Sequence, residues 1–369
     1  MRLVHGLVML LVLLLAGCGS PTQPSPGGAA PAAASASAAQ PVGVDAAPAA
    51  TIACPDAPGP IDGPIVFGAD NNLFAVGVDG GPVTQLTDVP ANVYAFEPAW
   101  SPDGATLAYT LSAPTSDPNL SWLPVGRICG MDRGTGKGKL LAQGAETLQS
   151  LTEASWTPDG AALTLTVHQP HLDANKVYTG ESMTITRYDL ASGAQQPLVK
   201  DGFNPTLSPD GQRLVYMQLN TSDLSTNLWF ANQDGQAATP MPPQPETLGL
   251  IVSPRWSPDG AQIAFGASGG AVGQRLQPAA RSWLERLLGV SVARAHGAPA
   301  DIWLITAEGT SPQRITQKGL DDPRIAWSPD GKRIAYTNGY GGVFVLDLAS
   351  KQEQMITEQG NYGGISWAR

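Results

Sequence analysis

The alternation of apolar and polar positions along this 369-residue chain predicts short β-strands over most of its length. The clearest strands are runs rich in β-branched and aromatic residues, which suit a pleated and half-buried surface. Each of these runs follows a Pro-Asp-Gly triplet, and they lie at 107–109, 163–165, 214–216, 263–265 and 334–336. The pattern therefore predicts a chain of strands and tight turns.

The triplets belong to a longer repeated motif, which we call the corner. It reads WSPDG at 100–104, WTPDG at 156–160, LSPDG at 207–211, and WSPDG at 256–260 and 327–331, and Trp367 follows alone. Pro presets φ for a turn, Asp bonds nearby backbone and Gly accepts positive φ. The corners recur roughly every 40–70 residues, which is the period of a propeller blade. Their aspartates are therefore interpreted as structural.

The two ends of the repeat predict how the fold closes. The segment 64–87 supplies three strands without a first strand, and 364–367 supplies a first strand with nothing after it. We expect these ends to complete one blade, because pairing them removes the exposed sheet edges. The fold class is therefore predicted as all-β: a six-bladed β-propeller of four-stranded blades over 61–369, closed by the C-terminal strand.

The corners, the apolar runs after them and the fourth strands, which end in Leu-Thr or Ile-Thr, resemble the WD-repeat-like propellers of the TolB type. The resemblance implies the propeller fold, but propellers of this kind carry unrelated activities. TolB itself has an α/β domain ahead of its propeller, where this chain has a segment rich in Ala, Pro and Ser that is expected to be a disordered tether. The chain is therefore not expected to be the Tol-system component.

The N-terminal residues predict export and lipid attachment. A short apolar run follows Arg2 and ends in Leu-Ala-Gly-Cys at 15–18, which resembles the bacterial lipobox. We expect a signal peptide over 1–17, lipidation of Cys18 and a disordered Ala/Pro/Ser-rich tether over 18–60. The propeller would then be anchored on the extracytoplasmic face of a bacterial membrane, either the outer membrane or the outer face of the cytoplasmic membrane.

Two insertions interrupt the repeat, near 112–124 in blade two and 269–299 in blade five. The second insertion contains apolar residues at helical spacing, namely Trp283, Leu284, Leu287 and Leu288. These residues predict a short amphipathic helix. Either it packs on its own propeller, or it binds a partner or the membrane surface.

The remaining cysteines and histidines offer few candidates for chemistry. In an exported chain Cys54 and Cys129 could form a disulfide or stay apart, and the sequence leaves both open. His168, His171 and Asp173 are interpreted as a solvated loop of blade three, not as a metal site. We expect no metal and no cofactor.

A set of polar residues lies three positions before each corner's first residue and before Trp367. They are Glu97, Glu153, Asn204, Ser253, Arg324 and Gly364, and we call them the channel ring. First strands line the central channel of a propeller, so these residues should meet near one mouth. With Arg255 they form the predicted ligand or partner site. The alternative is that they pair only with one another or with water.

Charge narrows the possible partners. The net charge is −10 and the isoelectric point is about 4.8, which argues against nucleic acid. We expect a monomeric propeller that binds a protein, peptide or glycan without catalysis. The alternative is a carbohydrate hydrolase or lyase that uses Glu97 and Glu153 as its carboxylate pair.

Overall fold

The computed structural model describes residues 52–115, 120, 123–146, 148–219, 226–244, 248–269 and 299–368. These residues form six sheets, each of four antiparallel strands, arranged as the six-bladed β-propeller that the sequence predicts. Among the described residues, no helix has the length and apolar character needed to cross a membrane. The predicted helix with Trp283, Leu284, Leu287 and Leu288, the lipidation site Cys18 and part of the 112–124 insertion lie outside the described residues.

The strands are numbered in chain order, and consecutive strands of a blade are neighbours in its sheet. Blade one contains β1 (Ile65–Ala69), β2 (Asn72–Val76), β3 (Thr84–Gln85) and the last strand, β24 (Ile365–Trp367). Blade two contains β4 (Tyr94–Trp100), β5 (Thr106–Pro114), β6 (Pro124–Asp132) and β7 (Gly138–Ala142). Blade three contains β8 (Ser150–Trp156), β9 (Ala162–Leu172), β10 (Tyr178–Asp189) and β11 (Gln195–Lys200).

The other three blades follow the same order. Blade four contains β12 (Gly202–Leu207), β13 (Arg213–Leu219), β14 (Thr226–Asn232) and β15 (Thr239–Pro240). Blade five contains β16 (Leu248–Trp256), β17 (Gln262–Gly269), β18 (Asp301–Thr306) and β19 (Gln313–Arg314). Blade six contains β20 (Arg324–Trp327), β21 (Arg333–Thr337), β22 (Val343–Asp347) and β23 (Glu353–Thr357).

The ring of blades closes through the C-terminal strand, as predicted. Strand β24 pairs antiparallel with β1, placing Trp367 opposite Ile65 and Ile365 opposite Phe67. The Ala368 N–H adds a bond of 2.8 Å to the Pro64 carbonyl oxygen. Blade one therefore takes strands from both ends of the described chain, and its first strand is not left as an unpaired edge.

The core lies between the faces of adjacent blades. Val66 and Leu73 of blade one pack in one buried cluster with Leu107 and Tyr109 of blade two. On the other face of blade one, Phe67 belongs to a cluster that includes residues of blade six. Because each blade buries both faces against its neighbours, the second strands are apolar on both sides.

The corners are tight turns stabilised by their own aspartates. In the first corner the Asp103 carboxylate accepts hydrogen bonds from the Ser101 hydroxyl, at 2.6 Å, and from the Ala105 N–H, at 3.0 Å. Gly104 has a φ of 69°, a conformation that favours glycine. The same pair of bonds recurs at Asp159, Asp210, Asp259 and Asp330. The structural interpretation of these aspartates agrees with the geometry.

The segment before blade one is joined to blade two. Cys54 and Cys129 form a disulfide with their Cα atoms 5.7 Å apart. Nearby, the Asp56 carboxylate accepts bonds from the Lys137 ammonium, at 2.7 Å, and from the Gly138 N–H, at 2.8 Å. The glycine-rich connection between β6 and β7 is thus a hairpin turn that packs against residues 54–61.

Candidate functional site

The channel ring lies on bulges of the inner strands. Five of its six members have positive φ: Glu97 (56°), Glu153 (56°), Asn204 (51°), Ser253 (52°) and Gly364 (86°). In blades two to five the strand register shifts at these positions, which is the signature of a β-bulge. Arg324 is the exception, since it pairs regularly with Thr337. The bulges turn the N–H groups of Glu97, Glu153 and Asn204 toward the preceding blade.

Both ring glutamates bond to the backbone of the following blade. Glu97 Oε2 accepts hydrogen bonds from the Glu153 N–H, at 2.8 Å, and from the Thr110 hydroxyl, at 3.1 Å. Glu153 Oε2 accepts bonds from the Asn204 N–H, at 2.6 Å, and from the Thr166 hydroxyl, at 2.7 Å. Each carboxylate therefore holds two neighbouring blades together.

The other ring members continue this pattern with different chemistry. Asn204 Oδ1 accepts a bond of 3.0 Å from the Arg255 guanidinium. Ser253 Oγ accepts a bond of 3.2 Å from the Ile325 N–H. Gly364 has no side chain, and the Glu97 N–H donates instead to the Gly363 carbonyl oxygen at 2.7 Å. Pairing within the ring, which the sequence left as an alternative, is thus present in the structure.

The ring also borders a cavity of about 310 Å³ on the propeller axis. Glu97, Glu153, Asn204, Arg324, Gly364 and Arg255 line it. Ser253, also predicted for this site, does not line the cavity. Its side chain is fully buried, because its hydroxyl is used to bond the Ile325 N–H of blade six. The structure therefore brings together every predicted site residue of the channel except this serine.

The walls of the cavity are the corners themselves. Its lining includes the first residue of every corner together with the corner prolines, namely Trp100, Trp156, Leu207, Trp256, Trp327, Trp367, Pro102, Pro158, Pro209, Pro258 and Pro329. The indole N–H of Trp156 donates to the Ala99 carbonyl oxygen at 2.9 Å, and that of Trp327 donates to the Arg255 carbonyl oxygen at 3.1 Å. These indoles clamp neighbouring blades, so the mouth is a fixed rim of indole and proline.

Burial shifts the pKa values of the charged groups in the ring. Removal from water, with the adjacent Glu153 carboxylate, raises the pKa of Glu97 to about 7. Burial and the charge of Arg324 lower the pKa of the Arg255 guanidinium to about 10. Burial also acts to lower the pKa of Arg324, but Asp322, Glu97 and Glu153 outweigh it and the pKa is raised. Glu97 is thus a carboxyl that titrates near neutral pH.

Two groups lie near the ring that the sequence analysis did not place there. Asp322 forms an ion pair of 2.8 Å with Arg324. His168 is in β9, so the expectation of a solvated loop was wrong: the hairpin of β9 and β10 is longer than the repeat predicts. Its Nε2 lies 2.9 Å from the Thr152 hydroxyl, and its Nδ1 lies 3.7 Å from the Glu181 carboxylate.

His168 remains close enough to the ring to interact with its charges. Burial acts to lower the pKa of His168, but Glu181, Glu153 and Glu97 outweigh it and the pKa is raised. A period-two strand pattern over 162–172 could have placed His168 on the same face as Thr166. The proline at position 170 concealed that pattern, because proline usually ends strands.

Comparison with solved structures places the fold among known propellers. TolB of Acinetobacter baumannii matches 85% of this chain and 68% of its own, with a TM-score of 0.58 and 16% sequence identity. A chain of a nidogen/laminin complex matches 83% of this chain and 98% of its own, with a TM-score of 0.56 and 12% identity. Oligogalacturonate lyase of Vibrio parahaemolyticus matches 83% of this chain and 77% of its own, with a TM-score of 0.50 and 14% identity. The likeness to TolB-type propellers is therefore confirmed at the level of fold.

Sequence comparison adds one relative and one correction. The uncharacterized peptidase YuxL of Bacillus subtilis is 24% identical over 172 residues. This match covers 45% of this chain and 22% of the relative, so this chain spans about a fifth of that protein's length. No family model matches the sequence. The prediction that the chain is not an enzyme is contradicted, because proteins named as a peptidase and a lyase are among those it resembles.

Proposed function

We propose that this chain is an exported, lipid-anchored propeller that binds a protein or peptide at the mouth of its central channel that the corners line. The observation that carries the proposal is the cavity of about 310 Å³, which has charged groups at its floor and a rim of indole and proline. Concave sites with a few convergent polar groups are the usual form of binding sites. The rim is already fixed before a ligand binds, so contact with it costs little conformational entropy.

The surface beside the mouth favours an extended ligand. A groove of about 490 Å³ lies between the corners of blades two and three. It shares Ser101, Pro102, Trp156 and Pro158 with the axial cavity, so the two hollows adjoin. Leu140, which is 46% exposed, lies along this groove. A peptide or a protein loop could occupy the groove and the channel mouth together.

Other observations support the cellular setting and the kind of partner. The Cys54–Cys129 disulfide suits an oxidising compartment outside the cytoplasm, as does the lipobox-like sequence at 15–18. Among propellers of the same fold, the nidogen chain was solved in complex with laminin, which is a protein partner. These points support export and a protein ligand for this chain.

The test is site-specific photo-crosslinking in cells of the source organism. A photoreactive phenylalanine analogue would replace Pro158, which is exposed and lines both the cavity and the groove. The matched control would carry the analogue at Ala349, in the exposed turn between β22 and β23. We expect a discrete protein adduct from position 158 and none from position 349. Equal adducts at both positions, or none at position 158, would reject the proposed mouth.

A second candidate function uses the same cavity for catalysis on a carbohydrate. The observation that favours it is Glu97, whose pKa of about 7 suits a general acid or base at neutral pH, with Glu153 beside it. A lyase acting on oligogalacturonate shares the fold. Incubation with oligogalacturonate, followed by detection of unsaturated product ends, tests this candidate. A lack of product, or equal product from a Glu97→Gln variant, would remove Glu97 from that role.

A further inference from the structure

The floor of the axial cavity has an uneven distribution of charge. The carboxylates Glu97 and Glu153 belong to blades two and three, and the guanidiniums of Arg255 and Arg324 belong to blades five and six. The neutral residues Asn204, in blade four, and Gly364, in blade one, separate the two groups. Going around the axis, one side of the floor is therefore acidic and the opposite side is basic.

The opposed charges do not neutralise each other. Among the ion pairs of the described residues, none joins Glu97 or Glu153 to either guanidinium, although their charges influence one another. Arg324 is paired with Asp322 at 2.8 Å. Among the described residues, the Arg255 guanidinium donates to the Asn204 side-chain oxygen, at 3.0 Å, and to the Pro254 carbonyl oxygen, at 2.7 Å. Arg255 is thus a partly buried cation whose hydrogen-bond acceptors in the described chain are neutral.

The acidic side also has unused bonding capacity. Glu97 and Glu153 each receive both of their hydrogen bonds at Oε2. Their Oε1 atoms accept no hydrogen bond from any described residue. A carboxylate oxygen can accept more than one bond, and an ammonium group offers three donors. A buried charge is costly unless it is paired, so both sides of the floor suit a ligand of opposite charge.

We infer that the cavity binds a zwitterionic ligand, namely a short peptide with free ends. Its ammonium group would bond Glu97 and Glu153, and its carboxylate would bond Arg255 in the geometry that guanidinium groups favour. This inference rests on the proposed function, because it assigns the ligand of the same mouth. A quaternary ammonium ligand fits less well, since it has no N–H donors for the Oε1 atoms.

Size favours a peptide over a single amino acid. Among the described residues no carboxylate of the acidic side forms an ion pair with a guanidinium of the basic side, so a ligand has to reach across the floor to contact both. An extended peptide adds about 3.3 Å for each residue, so a tripeptide reaches farther across the floor than a single amino acid does. The cavity of about 310 Å³ lies at the lower end of the range of roughly 300–1,000 Å³ for small-ligand sites.

The test is calorimetric titration of the purified full-length chain with alanine peptides. The probes are trialanine with free ends, its N-acetyl form, its C-terminal amide, and alanine itself. We expect trialanine to bind, each blocking group to weaken binding at least tenfold, and alanine to bind at least tenfold more weakly than trialanine. Comparable binding by free trialanine and by its N-acetyl and C-terminal amide forms would overturn the inference.

Two variants assign the ends of the peptide. Glu97→Gln keeps an oxygen to accept the bonds from the Glu153 N–H and Thr110, and removes only the charge. In this variant the penalty for N-acetylation should fall below threefold, and in Arg255→Gln the penalty for amidation should do the same. Glu146→Gln, at an exposed position outside the cavity, should retain both penalties.

The outcomes separate this inference from the proposed function. If trialanine does not bind but Pro158 still yields its crosslinked adduct, the zwitterionic ligand is rejected and the protein-binding mouth stands. If both fail, both proposals are rejected. Thermal unfolding of each variant checks its fold, and if Arg255→Gln is unfolded, the Glu97→Gln titrations decide alone.

Discussion

The corners and the channel ring lie only a few residues apart on the same inner strands, yet they hold the fold in different ways. Asp103 accepts its hydrogen bonds from Ser101 and Ala105, inside its own turn. Glu97 accepts one of its bonds from the Glu153 N–H of the next blade. The hydrogen bonds of a corner are complete within one turn, so the corner can repeat unchanged. The hydrogen bonds of a ring residue depend on the neighbouring blade, so the ring residue can differ at each junction between blades.

The carboxyl groups of the corners and of the channel ring also differ in the direction of their pKa shifts. Hydrogen bonds from the Ser101 hydroxyl and the Ala105 N–H lower the pKa of Asp103, which remains close to solvent. Burial and the nearby Glu153 charge raise the pKa of Glu97. The carboxylates that repeat in the sequence, those of the corners, therefore stay ionised. The carboxyl that titrates near neutral pH, Glu97, belongs to the channel ring, whose residues vary from blade to blade.

The largest expected effect on stability comes from removing the indole of the corner residue Trp256. This side chain is 8% exposed, packs in the core between blades four and five, and donates to the Thr206 carbonyl oxygen at 3.3 Å. Trp256→Ala should lower the free energy of unfolding by about 3–5 kcal/mol, because it leaves a cavity between the blades. Chemical denaturation measures it, with the half-exposed Met355→Ala as control. A loss below about 1 kcal/mol would show that the indole does not hold the blades.

The next largest effect tests whether the hydrogen bonds of Glu97 in the channel ring stabilise the contact between blades. Glu97→Ala removes the acceptor of the Glu153 N–H and of Thr110, and each buried donor left without a partner costs about 1–3 kcal/mol. We expect a total loss of about 2–4 kcal/mol. Glu97→Gln should cost less than about 1 kcal/mol, since its amide oxygen can accept the same bonds. Denaturation midpoints of the two variants measure the difference, with the exposed Glu146→Ala as control.

An equal loss for Glu97→Ala and Glu97→Gln would mean that the charge matters and that the hydrogen bonds between blades do not. The same reasoning affects any binding test on this mouth. An alanine variant of Glu97 or Glu153 could lose binding only because the blades loosen. Glutamine variants separate the two causes.

The fold could be predicted from the sequence because its signals are local. The triplet at 102–104 specifies a turn through its own side chains, and the unpaired strands at the two ends specify closure. Local signals failed at His168, where a hairpin longer than the repeat carries a proline inside the strand β9. The 270–298 segment, which contains the predicted amphipathic helix, lies outside the described residues, and that prediction stays a prediction.

The site could be predicted only in part. Equivalent positions on the inner strands placed Glu97, Glu153 and Arg324 around one cavity, as expected from the blade repeat. The burial of Ser253 and the pairing of Arg324 with Asp322 depend on which residue the adjacent blade presents. A repeat pattern gives the positions of a ring, but it does not give the hydrogen bonds between unlike neighbours.

A smaller effect, the pH dependence of stability, tests the contrast between the raised pKa of Glu97 and the lowered pKa of Asp103. Because the pKa of Glu97 is raised in the fold from an ordinary value near 4.5 to about 7, its contribution to stability is complete below about pH 4.5 and is lost as the pH rises through about 7. The raised pKa of His168 acts in the same direction. The loss assigned to Glu97 should be about 1–3 kcal/mol.

Denaturation at several pH values between 4 and 8 measures this dependence. Glu97→Gln should flatten the curve, whereas Asp103→Asn should leave its slope in this range unchanged, because Asp103 titrates below it. Parallel curves for the natural chain and Glu97→Gln would contradict the raised pKa.

The smallest expected effect on stability concerns the junction of blades three and four, where the corner begins with leucine instead of tryptophan. Blade four has Leu207 where the other corners have Trp, and Trp156 of blade three is more exposed than Trp100, Trp256 and Trp327. Trp256 and Trp327 each donate to the carbonyl oxygen just before the corner of the preceding blade. An indole at position 207 should reach the Ser155 carbonyl oxygen in the same way.

Leu207→Trp should therefore raise the free energy of unfolding by about 1 kcal/mol, the net value of one added hydrogen bond and some apolar burial. Leu140→Trp, at a half-exposed position on β7, is the matched control and should change it little. A loss instead of a gain would show that the space beside Trp156 is too small for an indole. A gain would show that the junction between blades three and four is less stable with leucine than with an indole.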